Sequence, residues 1–504
     1  MNVVRYHQRL LHGKENFEII MRCSKMEFTD EIIVKLFGQE AAEDEYFERL
    51  QSYYLKSKTH KSVTADLPLR ILVGHKGIGK SAIFTMARHE DEKYNKLSIL
   101  IRPDDIETVG KDTTNLGELI RTWKTGLFSI ITDKVIEKMG LATVGISSNV
   151  GGSIINFLKS TFQKQINNHV NLSPATQNVM NRFLSDSKII VYIDDLDRGW
   201  QSRELDIRRI SALLNAVRDM SNDNKGLQFR ISLRTDVYYL VRTSDESTDK
   251  IEGSVVWHSW TNNEILLLLV KRILSFEGTH SIDLASLKNL KQIDLAKYLK
   301  PVFEEKFKDT GKWSNAPIYR ILMSLIRKRP RDLVKLCSLA AKHAYSVDRE
   351  KIGTDDLKEV FVEYSQGRMQ DTVNEYKSEL PDIERLLLNM KPSRQELKKH
   401  VGYIYNTSSL KRKIRTIIER GAFNFRNGKV ASEADLLQFM YKINFITARK
   451  TLDDGRIERK YFEENKYLTH QNVDFGYDWE IHPAFRWVLS PDNINKVFEQ
   501  IDIS

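Results

Sequence analysis

A mostly parallel α/β sheet covered by helices, followed by a long helical stretch, is the fold class this sequence predicts. Three observations predict it. Short apolar runs alternate with segments of helical spacing between residues 69 and 260, a glycine-rich loop joins the first of these runs to a helix, and from Glu264 onward the text is helical. Strands buried on both faces read as continuous apolar runs, and parallel strands need helical crossovers between them.

The elements follow in order. Residues 27 to 56 carry helical apolar spacing broken at Phe37-Gly38, and KSKTHKSVTADLP reads as a polar linker. Leu69 to Val73 reads as a strand and Ser81 to Arg88 as a helix. Leu97 to Ile101 is a second strand, stopped by Pro103, and Leu116 to Met139 has helical spacing. The Gly/Ser-rich segment GLATVGISSNVGGSI, 140 to 154, reads as loop. Ile189 to Ile193, Phe229 to Leu233 and Ser254 to Trp260 complete the strands. The tail changes character near Pro381: helical segments lead to FITARKTLDDGRIERKYFE, whose apolar and aromatic residues flank Asp454-Gly455, a strong hairpin signal. Helices followed by a hairpin suggest a C-terminal α+β module of winged-helix type.

Composition narrows the classes. At 504 residues the chain exceeds what one hydrophobic core supports, so roughly two to four domains are expected. Its 41% apolar and 29% charged residues are ordinary for a globular protein, and no apolar run approaches the roughly 20 residues a membrane helix needs. The N-terminus lacks the apolar block of a signal peptide; Met21 and Met26 are alternative starts. Two cysteines, Cys23 and Cys337, exclude a disulfide framework and a cysteine zinc site, which suits a reduced cytoplasmic protein. Any metal would have to arrive with a nucleotide. Between Lys391 and Lys460 there are 17 Lys and Arg against 7 Asp and Glu, an excess equal to the whole net charge of +10. That cluster is either an electrostatic footprint for a polyanion or a solvated basic face. Lys411, Arg412, Lys413 and Arg415 lie on its helical part. The sequence carries no tandem repeat or low-complexity tract.

Gly74-His75-Lys76-Gly77-Ile78-Gly79-Lys80-Ser81, followed by Ala82, matches G-x-x-x-x-G-K-[ST] between a strand and a helix. Glycines let backbone N–H groups turn toward phosphate oxygens, helped by the positive end of the following helix. In this pattern Lys80 reaches the terminal phosphates of ATP and the Ser81 hydroxyl ligates Mg2+. KIIVYIDDLDRGW then ends an apolar strand at Asp194, at the sheet edge where a carboxylate holds Mg2+ through water, with Asp195 next to it to orient the attacking water. Asp197 and Arg198 cap a helix, pair with each other, or meet a neighbouring subunit. Arg234, ending QFRISLR, is a candidate sensor of the terminal phosphate or one half of a surface pair. Arg331, behind Pro330 at a helix start, either reaches back across a lid or sits in a solvated turn. Phe37 and Gly38, some 30 residues upstream of the loop, are candidates for the adenine pocket or are a core phenylalanine and a helix-breaking glycine.

Together VGHKGIGKSA, IIVYIDDLDR, SLRTD, RPRDL and LFGQEAAEDE resemble the additional-strand P-loop ATPases, specifically the prokaryotic STAND-like and KAP-like groups, over about residues 35 to 365. The ending WEIHPAFRWVL is similar to the C-terminal part of P-loop ATPases found near anti-phage defence and mobile-element genes. The resemblance implies a five-stranded parallel core, a helical lid and a winged-helix-like module, with Mg-ATP hydrolysis driving conformational change or assembly into an oligomer. It implies Asp194 as the magnesium-side acid, Asp195 as the catalytic acid, Arg234 as the sensor and Arg331 as the lid arginine. Many hydrolytic relatives carry glutamate at the position of Asp195, so slow turnover is expected. The domains it implies are 1–62, a helical segment contributing to the nucleotide pocket; 63–275, the ATPase core; 276–380, the lid; and 381–504, the basic module. Alternatives are an ATP-regulated DNA-binding protein of initiator or regulator type, and a sensor scaffold that holds ATP without hydrolysing it. The sequence carries no nuclease, TIR-like or protease motif, so an effector activity would come from a partner protein. His482 reads as a packed turn residue, and Tyr477, Trp479, Phe485 and Trp487 as a small-domain core that has the residue types to stack on bases.

Overall fold

A computed structural model describes residues 26–40, 44–110, 115–140, 154–167, 174–277, 286–309, 313–398, 402–453, 457–465, 468, 476–491, 497 and 501. Five strands, β1 (Leu69–Val73), β2 (Leu97–Ile101), β3 (Ile189–Ile193), β4 (Leu227–Leu233) and β5 (Val255–Trp257), form one all-parallel sheet in the order β2-β3-β4-β1-β5. Strand β4 therefore lies between the strand that precedes the glycine-rich loop and the strand that ends at Asp194. All five residues of IIVYI and all seven of LQFRISL are buried, as expected of strands covered on both faces. β5 is shorter than the expected Ser254–Trp260: Ser254 ends a 3-10 helix, and pairing stops at Trp257, opposite Val73, where β1 ends.

The linker expected at 56 to 68 contains a helix, Lys58–Val63, capped by the Ser57 hydroxyl accepting from the His60 N–H at 3.2 Å. Its imidazole is buried between the Tyr54 hydroxyl at 2.7 Å and Glu90 at 3.2 Å, so tertiary partners override a polar local sequence. Between Asn262 and Tyr376 run the helices Asn262–Phe276, Ile318–Leu325, Pro330–Ser346 and Thr354–Tyr376, the last three within the stretch expected as the lid. The N-terminal helix Asp30–Phe37, capped by Thr29 and ended by Gly38 at φ +81°, buries Ile33, Leu36 and Phe37 against them.

The tail pairs the helices Thr407–Glu419 and Glu433–Lys442 with an antiparallel sheet of β6 (Ile404–Tyr405), β7 (Ile446–Thr451), β8 (Ile457–Lys460) and β9 (Asp478–Ile481), in the order β6-β9-β7-β8. β7 and β8 are the two arms of the expected hairpin, while its turn at Asp454-Gly455 lies outside the described residues, as do most of the 140–154 loop and Cys23. Trp479, Phe485 and Trp487 are buried in this module and Tyr477 packs at its margin. Trp487 stacks on Phe361 of the lid with ring centroids 4.6 Å apart, so lid and tail share one continuous apolar core. His482 caps the turn Pro483–Phe485 through Nδ1 and meets the Tyr461 hydroxyl at 2.9 Å. Among the described residues no helix is long and apolar enough to cross a membrane.

Candidate functional site

The site is built where β1 and β3 end. Val73 passes into the glycine-rich loop, and Gly79, at φ +101°, turns it into the helix Lys80–Lys93, so the first amides of that helix face a cavity of about 400 Å³. Gly77, at φ +76°, lies so close to the lid that a Cβ there would stand 3.0 Å from Cβ of Arg331. Only glycine meets both demands without strain. Lys76, Gly77, Gly79, Lys80, Ser81 and Ala82 line the cavity, with Asp194, Asp195, Asp197, Arg198 and Arg234 across from them.

Lys80 Nζ donates to the carbonyls of Gly74 at 3.0 Å and His75 at 3.3 Å, so the ammonium rests on its own loop. Burial lowers its pKa, and the carboxylates of Asp197 and Asp194 oppose that shift. The Asp194 carboxylate accepts from the Ser232 hydroxyl and from the Asp195 N–H, the latter at 2.9 Å. Asp195 sits in the left-handed region at φ +61° and is exposed, which turns it out of β3 at the cavity wall. A non-glycine residue held there stores backbone strain, as functional positions often do. His258, just past β5, also lines the cavity; it is 1% exposed, and burial followed by Lys80 pushes its pKa down to about 4 against a backbone contact with Ile78.

Arg234 reaches the cavity wall, but its guanidinium is heavily engaged. It donates to Asp236 through Nε at 3.0 Å and through Nη2, to the Glu375 carbonyl at 3.0 Å and to Asp197 at 3.3 Å. It is a buried pair rather than a surface one. Arg331 bridges the loop and the N-terminal segment: its N–H donates to the Gly77 carbonyl at 3.4 Å and its Nε to the Glu40 carbonyl at 3.1 Å. Arg198 is exposed and lies 3.9 Å from Asp104.

Three loop residues do not line the cavity. The Gly74 N–H bonds the Leu233 carbonyl, the Ile78 carbonyl accepts from the Trp260 indole at 2.7 Å, and the buried His75 ring points the opposite way, into the C-terminal module. Phe37 and Gly38 do not line it either. The Phe37 ring packs in the core 6.2 Å from that of Phe303, and its carbonyl accepts from Arg272; Gly38 backs onto Glu45 and Arg272. The apolar end of the cavity is made by Leu50, Tyr53, Tyr54, Leu268 and Val334 instead, with Arg272 stacked 4.5 Å from the Tyr53 ring centroid. These belong to no short motif; the only signal was a Tyr-Tyr pair ending an amphipathic helix, a pattern that ordinary core helices share.

Sheet order, the glycine-rich turn after β1 and the carboxylates at the end of β3, with β4 inserted between those two strands, define the class: an additional-strand P-loop NTPase fold with a helical lid. Residues 287–373, within the lid, match the family described as the FunZ-associated C-terminal helical domain. The chain is 22% identical over 525 aligned residues, 93% of its own length and 70% of the relative's, to the "Putative transposon gamma-delta 80.3 kDa protein" of Escherichia coli K12. Among solved structures it is similar to the ORC2 protein of Aeropyrum pernix in its ADPNP-ADP complexes, at 10% identity and TM-score 0.40, covering 88% of this chain and 94% of that one. A Walker-type ATPase of Pyrococcus abyssi aligns at 13% identity and TM-score 0.38, covering 86% of this chain and 95% of that one. At such scores these two likenesses add nothing to the fold read from the sheet itself.

Proposed function

We propose that the chain binds and hydrolyses Mg-ATP as a conformational switch or motor. One observation carries the reading: Lys80 and Ser81, at the helix start after β1, and Asp194 and Asp195, just past β3, converge on one cavity beside the glycine-rich turn. The residues present fit the ligand pair. Gly77 and Gly79 hold positive φ in the loop, Lys80 rests on carbonyls that phosphate oxygens can replace, and a hydroxyl and a carboxylate stand on the metal side.

Phosphoryl transfer asks mainly for positioning and charge stabilisation. Lys80 leaves its loop carbonyls and turns to the terminal phosphates. Ser81 and Asp194 would hold Mg2+, which neutralises phosphate charge. Asp195 orients the attacking water and accepts its proton. Arg331 reaches from the lid across Gly77, so closure of the lid is sensed at the loop. Arg234 senses the terminal phosphate through its link to Asp197, and Leu50, Tyr53 and Tyr54 take the adenine. Lys80→Ala should abolish ATP binding, measured by titration calorimetry; retained affinity would remove the lysine from the site.

The STAND-like or KAP-like assignment, and a setting in anti-phage defence or mobile elements, belong to the same proposal; a relative named for a transposon is in keeping with it. We read the basic module as a surface for nucleic acid or a partner protein. Lys413 pairs with Glu396 at 2.9 Å and Arg415 with Glu433 at 2.7 Å, while Arg412 is exposed. Lys411 also helps to hold the Glu433 carboxyl down, so three of the four cations already have anionic neighbours. Duplex DNA binding should weaken steeply with salt if phosphate contacts dominate; binding that is absent or insensitive to salt would leave a partner protein as the target.

A further inference from the structure

On the side of the phosphate loop away from the cavity, the described residues that bond the His75 ring, Tyr376, Asn444 and Glu463, all lie at position 376 or beyond. Nδ1 meets the Tyr376 hydroxyl at 3.1 Å, and Nε2 meets Asn444 at 3.0 Å and the carboxylate of Glu463. His75 is 2% exposed, and Asn444 and Glu463 are likewise buried. Burial alone would raise the Glu463 carboxyl; the His75 ring outweighs that and holds it down to about 2. The next residue is gripped as well. The Lys76 N–H donates to Glu375 at 3.4 Å, and its carbonyl accepts from Arg329 at 3.5 Å.

We infer that His75 and Glu463 are positioning residues that couple the nucleotide site to the C-terminal module, so that whatever occupies that module changes nucleotide affinity, and nucleotide changes the module. This rests on the reading of the cavity as an ATP site. The route is short. Lys80 is bonded to the carbonyls of Gly74 and His75, and it must release them to meet a phosphate. The side chain of the same His75 is held by Asn444, ahead of β7, and by Glu463, beyond β8. A loop of glycines has little stiffness of its own, so its outer grip decides how well its amides are arranged before nucleotide arrives. Coupling between sites is reciprocal, and typical values correspond to roughly five- to 150-fold in affinity.

Glu463 does not line the cavity, which makes it the informative position. With a fluorescent ATP analogue, Glu463→Gln is expected to weaken binding about ten-fold, and adding His75→Gln to it should cost little more, because both substitutions break one contact. Amide hydrogen exchange supplies a second readout that needs no ATP site: in the nucleotide-free chain Glu463→Gln should speed exchange across residues 74–79. In the wild type, nucleotide should alter exchange across 457–465. Effects of the two substitutions that simply add, or unchanged loop exchange in Glu463→Gln with thermal stability preserved, would overturn the coupling. If the wild type bound no nucleotide while loop exchange still responded to Glu463→Gln, the ATP reading would fail and the mechanical link would stand.

Discussion

Gly77 is the residue at which sequence and geometry meet most tightly. Its φ of +76° and the 3.0 Å approach to Cβ of Arg331 leave no room for a side chain. Gly77→Ala should cost roughly 1–2 kcal/mol in loop geometry, seen as about ten-fold weaker ATP binding with little change in overall Tm. The loop motif was legible in sequence because its chemistry is local: backbone amides, one ammonium and one hydroxyl in nine residues. Asp194 and Asp195 were legible because an apolar strand announced them. Phe37 was not: an apolar residue beside a helix-ending glycine looks alike whether it faces a base or a core, and here it faces Phe303. His75 was equally silent, since its partners lie some 300 or more residues along the chain.

At the element scale, the lid helix Pro330–Ser346 starts at a cluster of buried charge. Asp332, in its first turn, accepts from Arg327 through Nε at 2.8 Å and Nη2 at 3.0 Å, and from Arg368 at 2.8 Å. All three side chains are 3% exposed or less. Burial alone would raise the Asp332 carboxyl; the two guanidinium groups override that and drive it far below the usual range. Asp332→Ala would strand two buried cations, and stability should fall by about 3–5 kcal/mol in urea unfolding. The RPRDL text predicted a helix start here and an arginine reaching toward ATP. Asp332 as the hub of the turn was not legible, because a first-turn aspartate is also what any exposed helix would carry. β1, β2 and β3 were read residue for residue, since burial on both faces leaves continuous apolar runs; β4 begins two residues earlier than read, and the half-buried β5 is shorter. The Lys58–Val63 helix was missed because its stability comes from Tyr54 and Glu90, outside its own sequence.

For the whole molecule, buried carboxylates set the acid limit. Glu375, Glu463 and Glu480 are each held down to about 2 from an ordinary 4.5; in each, burial pushes up and neighbouring groups prevail: Arg329 and Arg234 at Glu375, the His75 ring at Glu463, and Arg459 with Arg486 at Glu480. A carboxyl depressed in the folded state stabilises above its unfolded value and loses that contribution as pH falls through the folded one. Tm should therefore hold down to about pH 5 and fall steadily toward pH 2, with about three protons taken up on unfolding across that window. A flat Tm over the same range would contradict the charge assignments. The parallel core and the order of lid and tail were legible from alternation and helical text. That lid and tail share one core, through Phe361 and Trp487, was not, because a shared core leaves no mark on local periodicity.

The account stands or falls on ATP turnover by Asp195→Asn beside the wild type. With Asp195 as the group that orients and deprotonates water, the variant should bind ATP as the wild type does while its kcat falls at least about 100-fold. Equal turnover by the two proteins would contradict the assignment of the catalytic base, and no turnover by the wild type would contradict the ATPase.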